Sequence, residues 1–188
     1  MATLGFQKVH IGIFDETENI TKVHVLDAQE GGTISAKVSG LGAPMNTVWA
    51  SDVPFYVDAS GTGQPTLELN IADIPEDVLN EITGAKVENG IAKIGANTTP
   101  PYVAVILESK GTKNDTIYIS LLKGVFSYDE VNLATGEDKG KELQTDTITG
   151  NFVARSSDAL VYAKGRTSTQ SFTEEAFKTF VFPGYTAA

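Results

Sequence analysis

A mainly β fold with one flanking α-helix is what the sequence predicts, on three observations. Apolar and polar residues alternate at period two in segments spread along most of the chain. A helical stripe with clear start and stop signals occurs over residues 73–84. Gly, Pro, Asn and Asp collect between the alternating segments, where the chain must reverse.

Val9, Ile11 and Ile13 alternate with Lys8, His10 and Gly12, and Val23 and Val25 alternate with Lys22 and His24. With residues 15–19 between them, the two segments read as a hairpin. Ile34, Ala36 and Val38 alternate with Thr33, Ser35 and Lys37, and Leu67, Leu69 and Ile71 alternate with Thr66, Glu68 and Asn70, giving two more half-buried strands. Between these, residues 40–63 lose any clean period and collect Pro44, Pro54, Gly61 and Gly63. A connection of this length is usually functional or disordered. Met45, Val48, Trp49, Val53, Phe55, Tyr56 and Val57 make it too apolar for a solvated loop, so it is expected to pack against something.

Asp73 can cap a helix, Pro75 fits its first turn, Glu76 stands three residues after Asp73 as in a capping box, and Gly84 can end it. Val78, Leu79 and Ile82 share one face of that helix, which at about three turns can cover a sheet but cannot form a bundle. Residues 102–107 are continuously apolar, as in a strand buried on both faces. Ile117, Ile119 and Leu121 resume alternation after a turn over residues 111–115. Residues 128–142 mix charges with Gly136 and Gly140 and read as an exposed excursion. Thr145, Thr147 and Thr149 alternate with Asp146, Ile148 and Gly150 and lead into residues 152–155, with residues 160–165 expected as the antiparallel partner. Thr173 can cap a short helix holding Glu174, Glu175, Phe177 and Phe180 ahead of Pro183.

At 188 residues, with 41% apolar and 20% charged residues, the chain is expected to fold as a single domain over residues 1–188. No stretch approaches the roughly 18 apolar residues of a membrane span. Residues 1–14 lack the basic start and apolar run of a signal peptide, so the protein is expected to be made and kept in the cytoplasm or to leave by lysis, with no membrane partner. The absence of cysteine excludes disulfide frameworks, thiolate metal sites and cysteine nucleophiles. Fourteen basic residues against 24 acidic ones give a formal charge of −10, which disfavours attraction to nucleic acid phosphates.

Catalytic chemistry is hard to assemble from what remains. His10 and His24 are the only histidines, both on polar strand faces, and without a third ligand they make a poor metal site. Gly61 and Gly63 follow neither a Walker lysine nor a GxGxxG spacing. Asp129 and Glu130 are adjacent in sequence and read as a solvated turn. No catalytic residue, cofactor or metal is expected, and an enzyme is the least expected class.

Five stretches in order carry a family likeness: GFQKVHIGIF, TVWASDVPFYVDASG, PTLELNIADIPEDVLNEITG, PPYVAVILESKGTKNDTIYISLLKGVF and TDTITGNFVAR. Together they resemble the major tail proteins of long-tailed siphophages, specifically the phi13-type tail tube group, over nearly the whole chain. The resemblance implies a β-sandwich or partly closed barrel with one flanking helix, closing into a ring on oligomerisation. It implies homo-hexameric rings, stacked into the conduit through which genomic DNA passes during ejection without specific binding. It also implies a place in the virion tail, assembly in the host cytoplasm, and contact with the tape measure, tail terminator and distal tail proteins. The sequence ends soon after Tyr185, so no C-terminal Ig-like extension is expected. Two alternatives stand beside this reading: a type VI haemolysin-coregulated-like ring protein, and a β-sandwich carbohydrate-binding module. A sugar platform uses several exposed aromatics, whereas this chain has one Trp.

The assembly surfaces are expected at particular residues. Residues 40–63 are read as an inter-subunit arm contributing Met45, Trp49, Phe55 and Tyr56, with Phe6, Phe182 and Tyr185 near the chain ends as further contacts. Ser35, Lys37, Glu68 and Asn70, on the polar faces of half-buried strands, are the lumen-facing candidates.

Overall fold

The computed structural model describes residues 2–131, 133, 135 and 143–185. Gly136 and Gly140 of the expected excursion lie outside the described residues. The order is β1 (Thr3–Phe14), β2 (Ile20–Leu26), β3 (Thr33–Ser39), β4 (Asn46–Ala50), β5 (Val53–Asp58), β6 (Thr66–Ile71), α1 (Glu76–Thr83), β7 (Lys86–Glu88) and β8 (Ile91–Lys93). There follow β9 (Val103–Gly111), β10 (Thr116–Ser127), β11 (Asp146–Phe152), β12 (Tyr162–Arg166) and α2 (Glu174–Val181).

The main sheet is antiparallel, in the order β2-β1-β9-β10-β11-β6-β3. The far edge of β10 is shared: residues 117–121 pair with β12 and residues 124–127 with β11. The sheet curls until β3 nears β1, where Thr33 Oγ1 donates to the carbonyls of Phe6 and Gln7 at 3.4 and 3.2 Å. Among the described residues no backbone ladder joins β3 to β1, so the curl is not closed into a barrel.

Curling gives the sheet an inside and an outside, and each holds a core. Inside lie Val9, Ile11, Leu67, Leu69, Leu121 and Ile148, covered by Val78 and Ile82 of α1. Outside, Ala104, Ile106, Tyr118 and Leu122 are covered by Phe177, Val181 and Phe182 from α2 and its end. β9 therefore alternates between two apolar cores, which is why residues 103–107 show no polar face, while Tyr102, just before the strand, is half exposed. Gly12 belongs to the outer packing, since a Cβ there would lie 2.8 Å from the Phe182 ring.

Several local expectations are corrected. Two helices flank the sheet, α1 and the expected short helix that Thr173 caps by accepting a hydrogen bond from the Ala176 N–H at 3.3 Å. Asp73 does not cap α1, whose N-cap is Pro75 without a side-chain bond. The approach is tied down instead by Asp146, whose Oδ2 accepts from the Ile74 N–H at 3.0 Å. Gly84 does end α1, in the left-handed conformation at φ 73° that favours glycine. Residues 160–165 contain most of β12, but that strand pairs with β10 and not with β11, whose two edges are taken by β10 and β6. A register shift between Thr33 and Ser35 turns Ile34 outward, half exposed, while Ala36 and Val38 face the core as expected. The β7–β8 hairpin is an addition to the expected elements; it reverses at Asn89-Gly90, both at positive φ (55° and 75°), a two-residue turn signal that the sequence does carry.

Candidate functional site

The outer face of the sheet is divided. α2 covers β1, β9 and the first half of β10, while the outer face of β3, β6 and β11 is polar. On that face the registers align Ser35, Asn70 and Thr147 in one row, Lys37, Glu68 and Thr149 in the next, and Ser39, Thr66 and Asn151 in the third. Ser39 Oγ and Thr66 Oγ1 lie 2.7 Å apart, and Asn70 Nδ2 donates to Thr147 Oγ1 at 3.3 Å. Lys37 stands directly opposite Glu68, so hydroxyls and amides surround one base and one acid whose charges cancel. All four lumen candidates, Ser35, Lys37, Glu68 and Asn70, thus fall on one face. The sequence missed the row partners on β11. Their alternation was visible, but the β11–β6 pairing crosses some 80 positions.

Residues 40–63 contain the β4–β5 hairpin, which reverses at Ser51 and Asp52, both at positive φ (55° and 62°), as a tight two-residue turn of the right twist demands. Every residue of both strands is exposed, and the arm candidates Met45, Trp49, Phe55 and Tyr56 are 79, 64, 77 and 58% exposed. None of these four side chains belongs to either core.

The chain-end candidates are placed differently. Phe182 is 2% exposed and fills the outer core of its own protomer, which corrects its assignment to a neighbour: Gly12 leaves room for the ring in the protomer's own sheet. Tyr185 packs at the border of the same core and Phe6 against the inner one, both partly buried.

The two histidines are buried rather than solvated, because each is covered by an acidic partner remote in sequence. His10 Nε2 lies 2.5 Å from Glu108 Oε1 on the outer side, with Lys178 of α2 at 4.0 Å from the same oxygen. His24 Nε2 lies 2.8 Å from Glu81 Oε2 of α1, whose other oxygen accepts from Lys22 Nζ at 2.6 Å. His10 sits opposite Val25 and His24 opposite Ile11, so the two rings project from opposite faces and cannot share a metal ion. Burial pushes the Glu81 carboxyl up, but Lys22 and His24 outweigh it and hold it below the usual range. Glu174 is held low chiefly by Lys178, against burial, with Tyr118 adding to the effect. These groups tie the helices to the sheet, and no reacting centre is formed from them.

A curled β domain with a polar outer face, a projecting apolar hairpin and histidines engaged in ion pairs defines a structural protein that works through its surfaces. The family model described as phage tail tube protein matches residues 1–188, and the chain belongs to that family. It is a structural component of the phage tail, self-associating into a tube, and not an enzyme. No curated protein matches the chain.

Proposed function

We propose that this chain is the major tail tube subunit, assembling into homo-hexameric rings that stack into the conduit for genomic DNA during ejection. The charge-balanced polar face of β3, β6 and β11 carries the reading. A sheet that closes into a ring must turn one face inward; its inside is filled by the apolar core and half of its outside lies under α2. The remaining half, with Ser35, Lys37, Glu68 and Asn70, is the surface suited to a lumen. Hydroxyls and amides hold water there, and a lysine cancelled by the glutamate opposite offers duplex DNA little counterion release. The wall is then closer to neutral than the chain's net charge of −10, and most of the acids lie elsewhere. β2 and β3 end the strand order, so ring closure would also pair edges that otherwise invite unwanted association.

Residues 40–63 serve as the inter-subunit arm, because side chains as apolar as Trp49 and Phe55 are rarely left uncovered in a finished assembly. Assembly takes place in the host cytoplasm, with the tape measure protein inside the growing tube and the tail terminator and distal tail proteins at its ends. Replacing Trp49 and Phe55 together by Ala is expected to block tube growth, followed by light scattering, while circular dichroism shows a folded protomer; normal tubes would contradict the arm. A gel-shift titration of assembled protein against duplex DNA at low salt is expected to show no retained complex. Tight binding that weakens steeply with salt would contradict the lumen reading.

A further inference from the structure

We propose that the arm of one copy docks on the β7–β8 hairpin of a second copy, with Asp58 seated against Lys86 and Lys93. This rests on the reading of residues 40–63 as an inter-subunit arm. In the β7–β8 hairpin Lys86 stands directly opposite Lys93, and Glu88 opposite Ile91. Like charges facing each other across a strand pair destabilise it unless an acid intervenes. Glu88 serves Lys93, at 2.5 Å, and among the described residues Lys86 has no ion-pair partner. Ile91 is on the same face and 60% exposed; Ile94 is exposed just past β8, and Val87 is exposed on the opposite face. The hairpin therefore offers uncovered aliphatic surface with an uncompensated positive charge.

The arm offers the complement. Residues 40–63 contain Asp52 and Asp58 and no basic residue. Among the described residues neither aspartate makes an ion pair. Asp58 lies opposite Asn46, and the next pair on the same face is Val48 with Tyr56, so its carboxylate is flanked by exposed apolar groups. Two arms would bring like charges together, as would two β7–β8 hairpins, which leaves the pairing of unlike surfaces. Such a heterologous contact, repeated about an axis, closes a ring or propagates a filament. Two basic groups near other exposed apolar residues are already engaged: Lys123, over the Tyr102 ring, pairs with Glu18, and Arg155, over the Phe180 ring, pairs with Asp158.

The chain has no cysteine, so two single variants, Asp58→Cys and Lys86→Cys, can be purified separately, mixed under assembly conditions and oxidised. The expected result is a covalent dimer joining one variant to the other, identified by mass spectrometry of the linked peptides. In parallel, Asp58→Lys and Lys86→Glu are each expected to lower assembly at least tenfold, and their combination to restore it. Same-variant disulfides only, no mixed disulfide, or charge reversals without effect would overturn the docking. If the Trp49 and Phe55 double variant still blocks assembly in that event, the arm stands and only its receptor is wrong. If that variant assembles normally, the arm itself is wrong.

Discussion

Ile82 and Leu79 stand three positions apart on the same stripe of α1, yet Ile82 is fully buried in the inner core while Leu79 lies at its rim, partly exposed. Ile82→Ala should cost about 2–5 kcal/mol, as for a well-packed aliphatic side chain, and Leu79→Ala clearly less. Chemical denaturation of both variants checks this; equal losses would mean that the stripe is evenly buried. Periodicity revealed the face of α1 but not the depth of each residue, which depends on the sheet beneath. The same limit explains His10. Alternation placed it correctly opposite Val9 and Ile11, but the groups that bury it, Glu108 and α2, come from the other end of the sequence. Phe182 belongs to the same case: its receptor is Gly12, a residue whose missing side chain is itself the signal.

Elements defined by their own pattern were legible. The strands holding Leu67 and Ile148 alternate cleanly because one face meets a core, and β9 lacks alternation because both faces do. What failed were relations between elements. β12 lies near β11 in sequence, but β10 is long enough to take β12 along one half and β11 along the other. The β3 bulge moved Ile34 outward, and Asp146 displaced Asp73 from the start of α1. The carboxylates that hold the helices give a measurable consequence. Glu81 of α1 and Glu174 of α2 are both held below their ordinary value, so the stabilisation is fully present above about pH 4.3. It is lost as the pH falls through the lowered folded-state values. Hydrogen exchange of both helices should therefore quicken relative to β9 below about pH 4, and Glu81→Gln should reduce that response in α1. A helix exchange profile parallel to that of β9 across this range would contradict the ion-pair role.

At the scale of the molecule, the four lumen candidates could be read from the sequence as polar positions on two strands, and the structure places them in one array with β11. The β4–β5 segment was legible as an apolar stretch without period, since a hairpin with both faces exposed has no buried side to impose one. In the β7–β8 hairpin, proposed as its receptor, the Asn89-Gly90 turn was legible, but strands of three residues each are too short to show a face. In the proposed assembly, copies of this domain close into rings with the β3-β6-β11 face turned inward. Electron cryomicroscopy of the purified, assembled protein tests it most directly. Stacked six-fold rings with Ser35, Lys37, Glu68 and Asn70 on the channel wall and α2 on the outside are the predicted result. A channel lined by α2, or a protein that stays monomeric at every concentration, would contradict it.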